Sequence, residues 1–508
     1  MCAAMRTRSM RKQDNGSDAV ARALGGARWV ALGAVLAKVA SVACTQIVLR
    51  LAPVEVLGVA SARLELIMNA LVCVTRDGAR LALTRCTTCA ERTARTLAWA
   101  SAIMGCAVAL ACAAVAHFGV DATAPYRARD ALTLYCLAAA VDAGSEPLEA
   151  LARHHVLTAP RAVAEPAAAL ARGAVAALLL WARPDLEAAA LGWAQVAAAA
   201  AAGLARFMTW PRDLPSGLAL HLHDLDETLV RDTWRFAGQA AIKHVATEAD
   251  RLAVAVLATP YEAGLYAFAT HYGSLVARLV LAPGEEACRL ALAKCASHER
   301  AASIGGTFAK GALYVGLVCA AVGAPFGAAA ARILKGNAPE ADIAACGAAL
   351  AYFCLQVPFL SLNGVCEACA HARADARTLS LLSGVHVACA VLFALCARPA
   401  LAATGPPGLV AAGGAVMALR ALVALYLART RAFSKHGGAF VKAAAPDAVA
   451  VFVFMGAGAA ARRSASIASL ATHVAATAVL GVLCLAAIFV RDRAFVTSLL
   501  GSRRAKEE

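Results

Sequence analysis

An all-α membrane protein crossing the bilayer about fourteen times is the fold class this sequence predicts, on three observations. The 508 residues are 61% hydrophobic and only 16% charged, against about 45–50% apolar and about 25% charged in soluble domains. The mean hydropathy is +0.66. The apolar residues also come in runs of bilayer length, about 20 residues each, and not in the narrow stripes of a soluble helix.

Taken in order, the spans are expected at 27–49, 57–75, 96–116, 131–151, 162–182 and 188–205, then at 236–257, 263–283, 311–331, 343–363, 378–397 and 408–428, and finally at 445–461 and 466–490. The N-terminus stays polar and basic through Arg28, and the run that follows exceeds signal-peptide length, so it reads as an uncleaved first span. Runs such as Ala188–Ala190 and Ala197–Ala202 are weakly lipophilic, which predicts helices packed on neighbours and not on lipid alone.

The net charge of +15 would suggest nucleic acid in a soluble protein. Here the cations sit mainly in short loops, where they fix topology. With the N-terminus cytosolic, 32 Lys and Arg fall on the cytosolic side, nine on the other and seven within spans, accounting for all 48. Both termini are therefore expected in the cytosol, and the Asn15-Gly16-Ser17 sequon is expected to stay unmodified.

The 18 cysteines do not suggest a secreted disulfide scaffold. Two CxxC pairs, Cys86/Cys89 and Cys366/Cys369, fall on expected cytosolic loops and either hold zinc or serve as small packing residues. No cofactor or resident metal is expected. The longest connection, 206–235, contains His221-Leu222-His223-Asp224 and reads as an interfacial segment joining two halves. No loop is long enough for a catalytic domain, which argues against an enzyme.

A repeat supports the two halves. Pro53-Val54-Glu55 precedes Arg80-Leu81-Ala82-Leu83, and Pro260-Tyr261-Glu262 precedes Arg289-Leu290-Ala291-Leu292. Six spans separate the copies, as in parallel repeats. The expected organisation is a tail at 1–26, a first lobe at 27–208, a linker at 209–235, a second lobe at 236–428, C-terminal helices at 429–490 and a tail at 491–508.

Seven cations lie within expected spans: Lys38, Arg63 and Arg172 in the first half, Lys243, Arg251, Arg278 and Arg420 in the second. Each costs about 2.5–3.5 kcal/mol at a helix centre unless paired or hydrated. Five fall on the first two spans of each half, which predicts one cationic cavity. Helical spacing places Glu65, Asn69, Arg76 and Arg80 on one stripe, puts Gln239, Lys243 and Asp250 on one face, and lets Glu248 pair with Arg251. Such groups either brace helices or bind an anion, and guanidinium matches phosphate oxygens.

Several segments resemble the eukaryotic Rft family of oligosaccharide-lipid translocation proteins. Gly273-Ser274-Leu275-Val276-Ala277-Arg278-Leu279 with Pro283-x-Glu285-Glu286 is the most specific. Others are Thr247-Glu248-x-Asp250-Arg251 after Lys243, Asn363-Gly364-Val365-x-Glu367, Arg76-Asp77-x-x-Arg80 and Glu146-Pro147. Cys366 departs from the family pattern, as do Thr270-His271 and Pro166.

The resemblance implies two six-helix lobes plus two C-terminal helices, similar to lipid II flippases and multidrug exporters. It implies residence in the endoplasmic reticulum membrane and movement of Man5GlcNAc2-PP-dolichol to the lumenal leaflet; the alternative is a non-transporting accessory role in the same N-glycosylation pathway. The partners expected are this dolichyl-pyrophosphate oligosaccharide and the bilayer, with no nucleic acid and a monomeric chain. The candidate ligand-binding cations are Lys38, Arg63, Arg76, Arg80, Lys243, Arg251 and Arg278. Asn69, Glu248, Asn363 and Glu367 complete the set.

Overall fold

A computed structural model describes residues 43–44, 46–85, 90–155, 157, 159–212, 214–218, 220–221, 223, 227–336, 338–467, 469–493, 495 and 497. Among these residues the secondary structure is helical, with no strand. Most of the first expected span, the Cys86/Cys89 pair and both chain ends lie outside them, and the His221–Asp224 motif is only partly described. The chain divides into two compact units, Met1–Val245 and Ala246–Glu508.

The first unit contains α1 (Val54–Gly58), α2 (Glu65–Arg85), α3 (Glu91–Gly119), α4 (Ala128–Gly144), α5 (Glu146–His154), α6 (Ala159–Ala182) and α7 (Ala188–Met208). It also holds most of α8 (Glu227–Thr247), which begins nine residues before the expected span start at 236. A π-helical turn, Val59–Leu64, joins α1 to α2. The helix expected at 131–151 is broken at Ser145 into α4 and α5.

Alanine-rich α7 packs against both α4 and α6. Its membrane-length window is 61% buried, against 17–39% for the other candidate spans, as weak lipophilicity requires. Gly192 brings α7 onto α4 so closely that a Cβ would lie 2.7 Å from the Leu134 Cβ.

The second unit contains α9 (Ala249–Leu257), α10 (Pro260–Val276), α11 (Ala282–Lys294), α12 (His298–Val318), α13 (Ala324–Lys335), α14 (Glu340–Arg373), α15 (Ala376–Thr404), α16 (Pro407–Leu427), α17 (Gly437–Ala444), α18 (Ala448–Ile467) and α19 (Leu470–Arg491). The 34-residue α14 is its central post, packed by α10, α11, α12, α13 and α16. Helices α18 and α19 form a pair that packs on the α12–α13 segment.

The repeated Pro-x-Glu has a local cause in this unit. Thr259 caps α10, Pro260 occupies its first position, and Glu262 closes a capping box by accepting from the Thr259 N–H at 2.8 Å. In the first unit Pro53 itself caps α1 without a side-chain bond. The two copies therefore start their helices by different means.

Ten helices among the described residues are long and apolar enough to cross a membrane, which makes the chain a multi-pass membrane protein. The expected fourteenfold count is not reached among them. The fourth span is split at Ser145 and the seventh at Glu248. The eighth, Pro260–Lys294, contains a π-helical turn and five charged side chains from Arg278 to Arg289 and Lys294. Further π-helical turns occupy Cys319–Gly323 and Ala428–Ala432.

Candidate functional site

In the first unit, Arg76 and Arg80 project from α2 toward the break between α4 and α5. Arg76 binds Asp142, with Glu146 at 3.4 Å. Arg80 holds Glu146 with Nε and with Nη2, the latter at 2.5 Å. Arg206 on α7 reaches Asp142 at 3.1 Å and the Ser145 hydroxyl at 2.5 Å. Glu149 takes Arg153 at 3.0 Å. Glu146 is fully buried.

Four arginines and three carboxylates thus form one enclosed network around the Ser145 break. Such a network holds only when complete, because removing one partner strands a buried charge at a cost of about 3–5 kcal/mol. Two of the sequence candidates are consumed by this bracing. Asp142, Glu149 and Arg206 escaped the sequence reading because each meets a partner on another helix more than 50 residues away in sequence.

The remaining first-unit candidates are placed differently. Arg63 lies in the π-helical turn Val59–Leu64 and is exposed, and Asn69 is exposed one turn into α2. The stripe read from spacing therefore divides into an exposed upper part and a buried lower part. Lys38 lies outside the described residues, as does the side chain of Lys243.

In the second unit the face expected to join Lys243 to Asp250 is interrupted, because the helix breaks at Glu248, where the backbone turns to φ −98, ψ 10. Asp250 instead accepts from the Tyr266 hydroxyl at 2.9 Å, tying α9 to α10. Glu248 does pair with Arg251, at 3.1 Å. Arg278 sits in the π-helical turn Ala277–Leu281. Its guanidinium donates to the backbone carbonyl of His271 at 2.9 Å and to that of Ser274 at 3.4 Å, and it makes no ion pair among the described residues. The Arg251 charge lies within electrostatic range of it. The two exposed cations thus repel each other; Arg251 has Glu248 as its partner, and a bound anion would relieve the charge of Arg278.

Asn363 and Glu367 lie one turn apart on α14. Glu367 Oε1 accepts from Asn363 Nδ2 at 2.6 Å, from Arg420 Nη2 at 2.8 Å and from Arg420 Nε and His386 Nε2, each at 3.0 Å. This hub joins α14 to α15 and α16. It explains the intramembrane Arg420 as a structural cation. Gly364 is needed between these residues because a Cβ there would overlap the Glu285 carboxylate.

Cys366 and Cys369 are not on a loop as expected; both lie inside α14 and are fully buried against Cys288 and Phe433. Helix α14 simply continues past the apolar run to Arg373. Among the described residues no group of three or more His, Cys, Asp or Glu side chains could hold a metal ion.

At the base of the C-terminal helix pair, Asp492 accepts from Lys310 Nζ at 3.0 Å and from the Tyr314 hydroxyl at 2.9 Å. The Tyr314 oxygen in turn accepts from the Asp447 N–H at 2.9 Å. Burial alone would push the Asp492 carboxyl up, but the hydrogen bonds from Lys310 and Tyr314 and the Lys310 charge hold it below the usual carboxylate range.

The profile of the Rft protein family matches residues 22–502. The chain belongs to this family. Among curated Rft relatives, the "Man(5)GlcNAc(2)-PP-dolichol translocation protein RFT1" of Yarrowia lipolytica is 26% identical over 424 residues, covering 69% of this chain and 62% of that protein. The Saccharomyces cerevisiae protein of the same description is 32% identical over 136 residues, 26% of this chain and 23% of its own length. The matched stretches span less than two thirds of these Rft relatives. The fold of this Rft family member is similar to that of the lipid II flippase MurJ in an inward closed conformation, at a TM-score of 0.68 and 9% identity over 92% of this chain and 99% of that one. It is also similar to an inward-facing multidrug transporter of the MATE family, at 0.63 and 12% over 81% and 96%.

Proposed function

We propose that this Rft family member moves a dolichyl-pyrophosphate oligosaccharide, Man5GlcNAc2-PP-dolichol, from the cytosolic to the lumenal leaflet of the endoplasmic reticulum membrane. The observation that carries this reading is the pair of exposed arginines, Arg251 and Arg278, set on apolar segments within electrostatic range of each other. Arg251 is partnered by Glu248, but Arg278 has no ion pair among the described residues, and hydrocarbon does not tolerate such a cation without an anion or water. A diphosphate offers oxygens that guanidinium groups hold in bidentate fashion.

Exposed Arg63, with Asn69 one helix further on, supplies a comparable polar site in the first unit. Asn363 and Glu367 position α14 and do not touch the ligand, and Arg76 and Arg80 brace the first unit. The names of the Rft relatives and the flippase-like fold favour transport over chemistry: the protein reorients an intact glycolipid and breaks no bond. Both chain termini face the cytosol, where positive charge is concentrated. The chain acts as a monomer.

Reconstitution tests this. Purified protein in liposomes containing the glycolipid is expected to make lumenal-leaflet glycolipid accessible to an added glycan-binding probe, and protein-free liposomes are not. Equal accessibility in both would leave only an accessory role in the glycosylation pathway.

A further inference from the structure

We propose that Glu285 on α11 is a proton-binding side chain, held neutral against Gly364 beside the ionised Glu367, and that losing its proton moves α11 against the π-helical turn that holds Arg278. Four observations lead there. The Glu285 carboxylate fills the space that a Cβ of residue 364 would occupy, so α14 presents bare backbone to it. No hydrogen bond or ion pair reaches it among the described residues, whereas its neighbour Glu286 pairs outward with Arg289. The charge of Glu367 acts on it. Finally, the cluster is one donor short, since Asn363 Oδ1 is buried without a partner.

Among the described residues, the charged and titratable groups on the elements packed with α11 form no ion pair with Glu285. On α14 these are Glu367 and, beyond it, the buried thiols of Cys366 and Cys369; on α15, His386; on α16, Arg420. On α12 Lys310 and Tyr314 bind Asp492, His298 meets Arg373, and Glu299 and Arg300 are exposed. Its own helix adds Cys288, buried against α14, and the outward Glu286–Arg289 pair. Both His386 and Arg420 are committed to Glu367 Oε1. Two neighbouring carboxylates with one set of cations do not both ionise, and the one lacking donors keeps the proton. A neutral carboxyl also carries an O–H, the donor type the cluster lacks.

The mechanical consequence follows from position. Glu285 lies seven residues beyond Arg278, and the π-helical turn Ala277–Leu281 separates α11 from α10. A π turn is a local widening where a helix can pivot. Ionised Glu285 is repelled by Glu367 and leaves Gly364 for the wetter side, turning α11 about the π-helical turn in which Arg278 lies. The link to glycolipid movement rests on the transport reading above; the proton site does not.

Infrared titration of the full chain in nanodiscs, with no glycolipid present, tests the site. The carbonyl absorption of a protonated carboxyl is expected at neutral pH, bleaching as pH rises, and absent in Glu285→Gln. In Glu367→Gln its midpoint is expected to fall by about one pH unit or more, because the neighbouring negative charge is gone. Gly364→Ala, which expels the carboxylate into water, is expected to lower the midpoint as well. Persistence of the absorption in Glu285→Gln, or unmoved midpoints in the other two variants, overturns the proposal. A chain that titrates in this way but moves no glycolipid defeats the transport reading alone; one that moves glycolipid without the titration defeats the proton site alone.

Discussion

Arg420 on α16 and Glu367 on α14 are joined by two hydrogen bonds across 53 residues of sequence, Nε at 3.0 Å and Nη2 at 2.8 Å from one carboxylate oxygen. Each group justifies the other inside the membrane. Breaking the pair from either side strands a partly buried charge, so Glu367→Gln and Arg420→Met are each expected to lower stability by about 3–5 kcal/mol. The double variant is expected to lose clearly less than the sum. Unfolding midpoints in detergent measure this, and simple additivity would show that the two residues act independently.

Glycine contacts set a second expectation. A Cβ at Gly316 would stand 2.6 Å from the Pro358 Cα and 2.9 Å from its nitrogen, backbone that cannot swing aside. Gly316→Ala is therefore expected to destabilise the second unit by about 1–3 kcal/mol. Gly481, in the interior of α19, has nothing within 4 Å of its would-be Cβ. Gly481→Ala is expected to stabilise by about 0.5–1 kcal/mol through helix propensity alone. Opposite signs in thermal unfolding would confirm the assignment of close packing; matching signs would refute it.

The membrane class and most helices were legible in the sequence because bilayer-length apolar runs need no tertiary information. The Glu248–Arg251 pair was legible too, being one helical turn apart. What failed was continuity. Spacing arguments assume an unbroken helix, and the break at Glu248 interrupted the face expected to hold Asp250, while Ser145 split the expected fourth span. The partners of Arg76, Arg80 and Arg420 were hidden for a different reason: Asp142, Glu146 and Glu367 meet them only through tertiary packing. A count of intramembrane cations flags both braces and ligand contacts and does not separate them.

The Asp492 cluster gives a pH dependence with a definite sign. Its carboxyl is held below the ordinary range in the folded chain, so its contribution is fully present above the unfolded value of about 3.9. The contribution is lost as pH falls through the lower folded value. Hydrogen bonds to a charged group are worth about 1.5–3 kcal/mol. Asp492→Asn is expected to lose part of this at neutral pH and to flatten the acid limb of the stability profile. Faster hydrogen exchange confined to α18 and α19 would locate the effect; an unchanged acid limb would remove Asp492 from it.

The separation of braces from ligand contacts can be measured directly. Arg80 is enclosed with Glu146, whereas Arg278 is exposed and, among the described residues, donates only to the carbonyls of His271 and Ser274. Arg80→Met is expected to destabilise the first unit by about 3–5 kcal/mol while leaving the affinity of the folded fraction for dolichyl pyrophosphate nearly unchanged. Arg278→Met is expected to leave stability within about 0.5 kcal/mol. It removes a charge-assisted contact, so affinity is expected to fall roughly tenfold to a hundredfold. Arg289→Gln, at a surface pair with Glu286, serves as the control and should change neither. Binding isotherms on the folded fraction, set beside unfolding midpoints, separate the two classes. If Arg278→Met unfolds the protein and binds normally when folded, its guanidinium is a brace after all and the ligand must be held elsewhere.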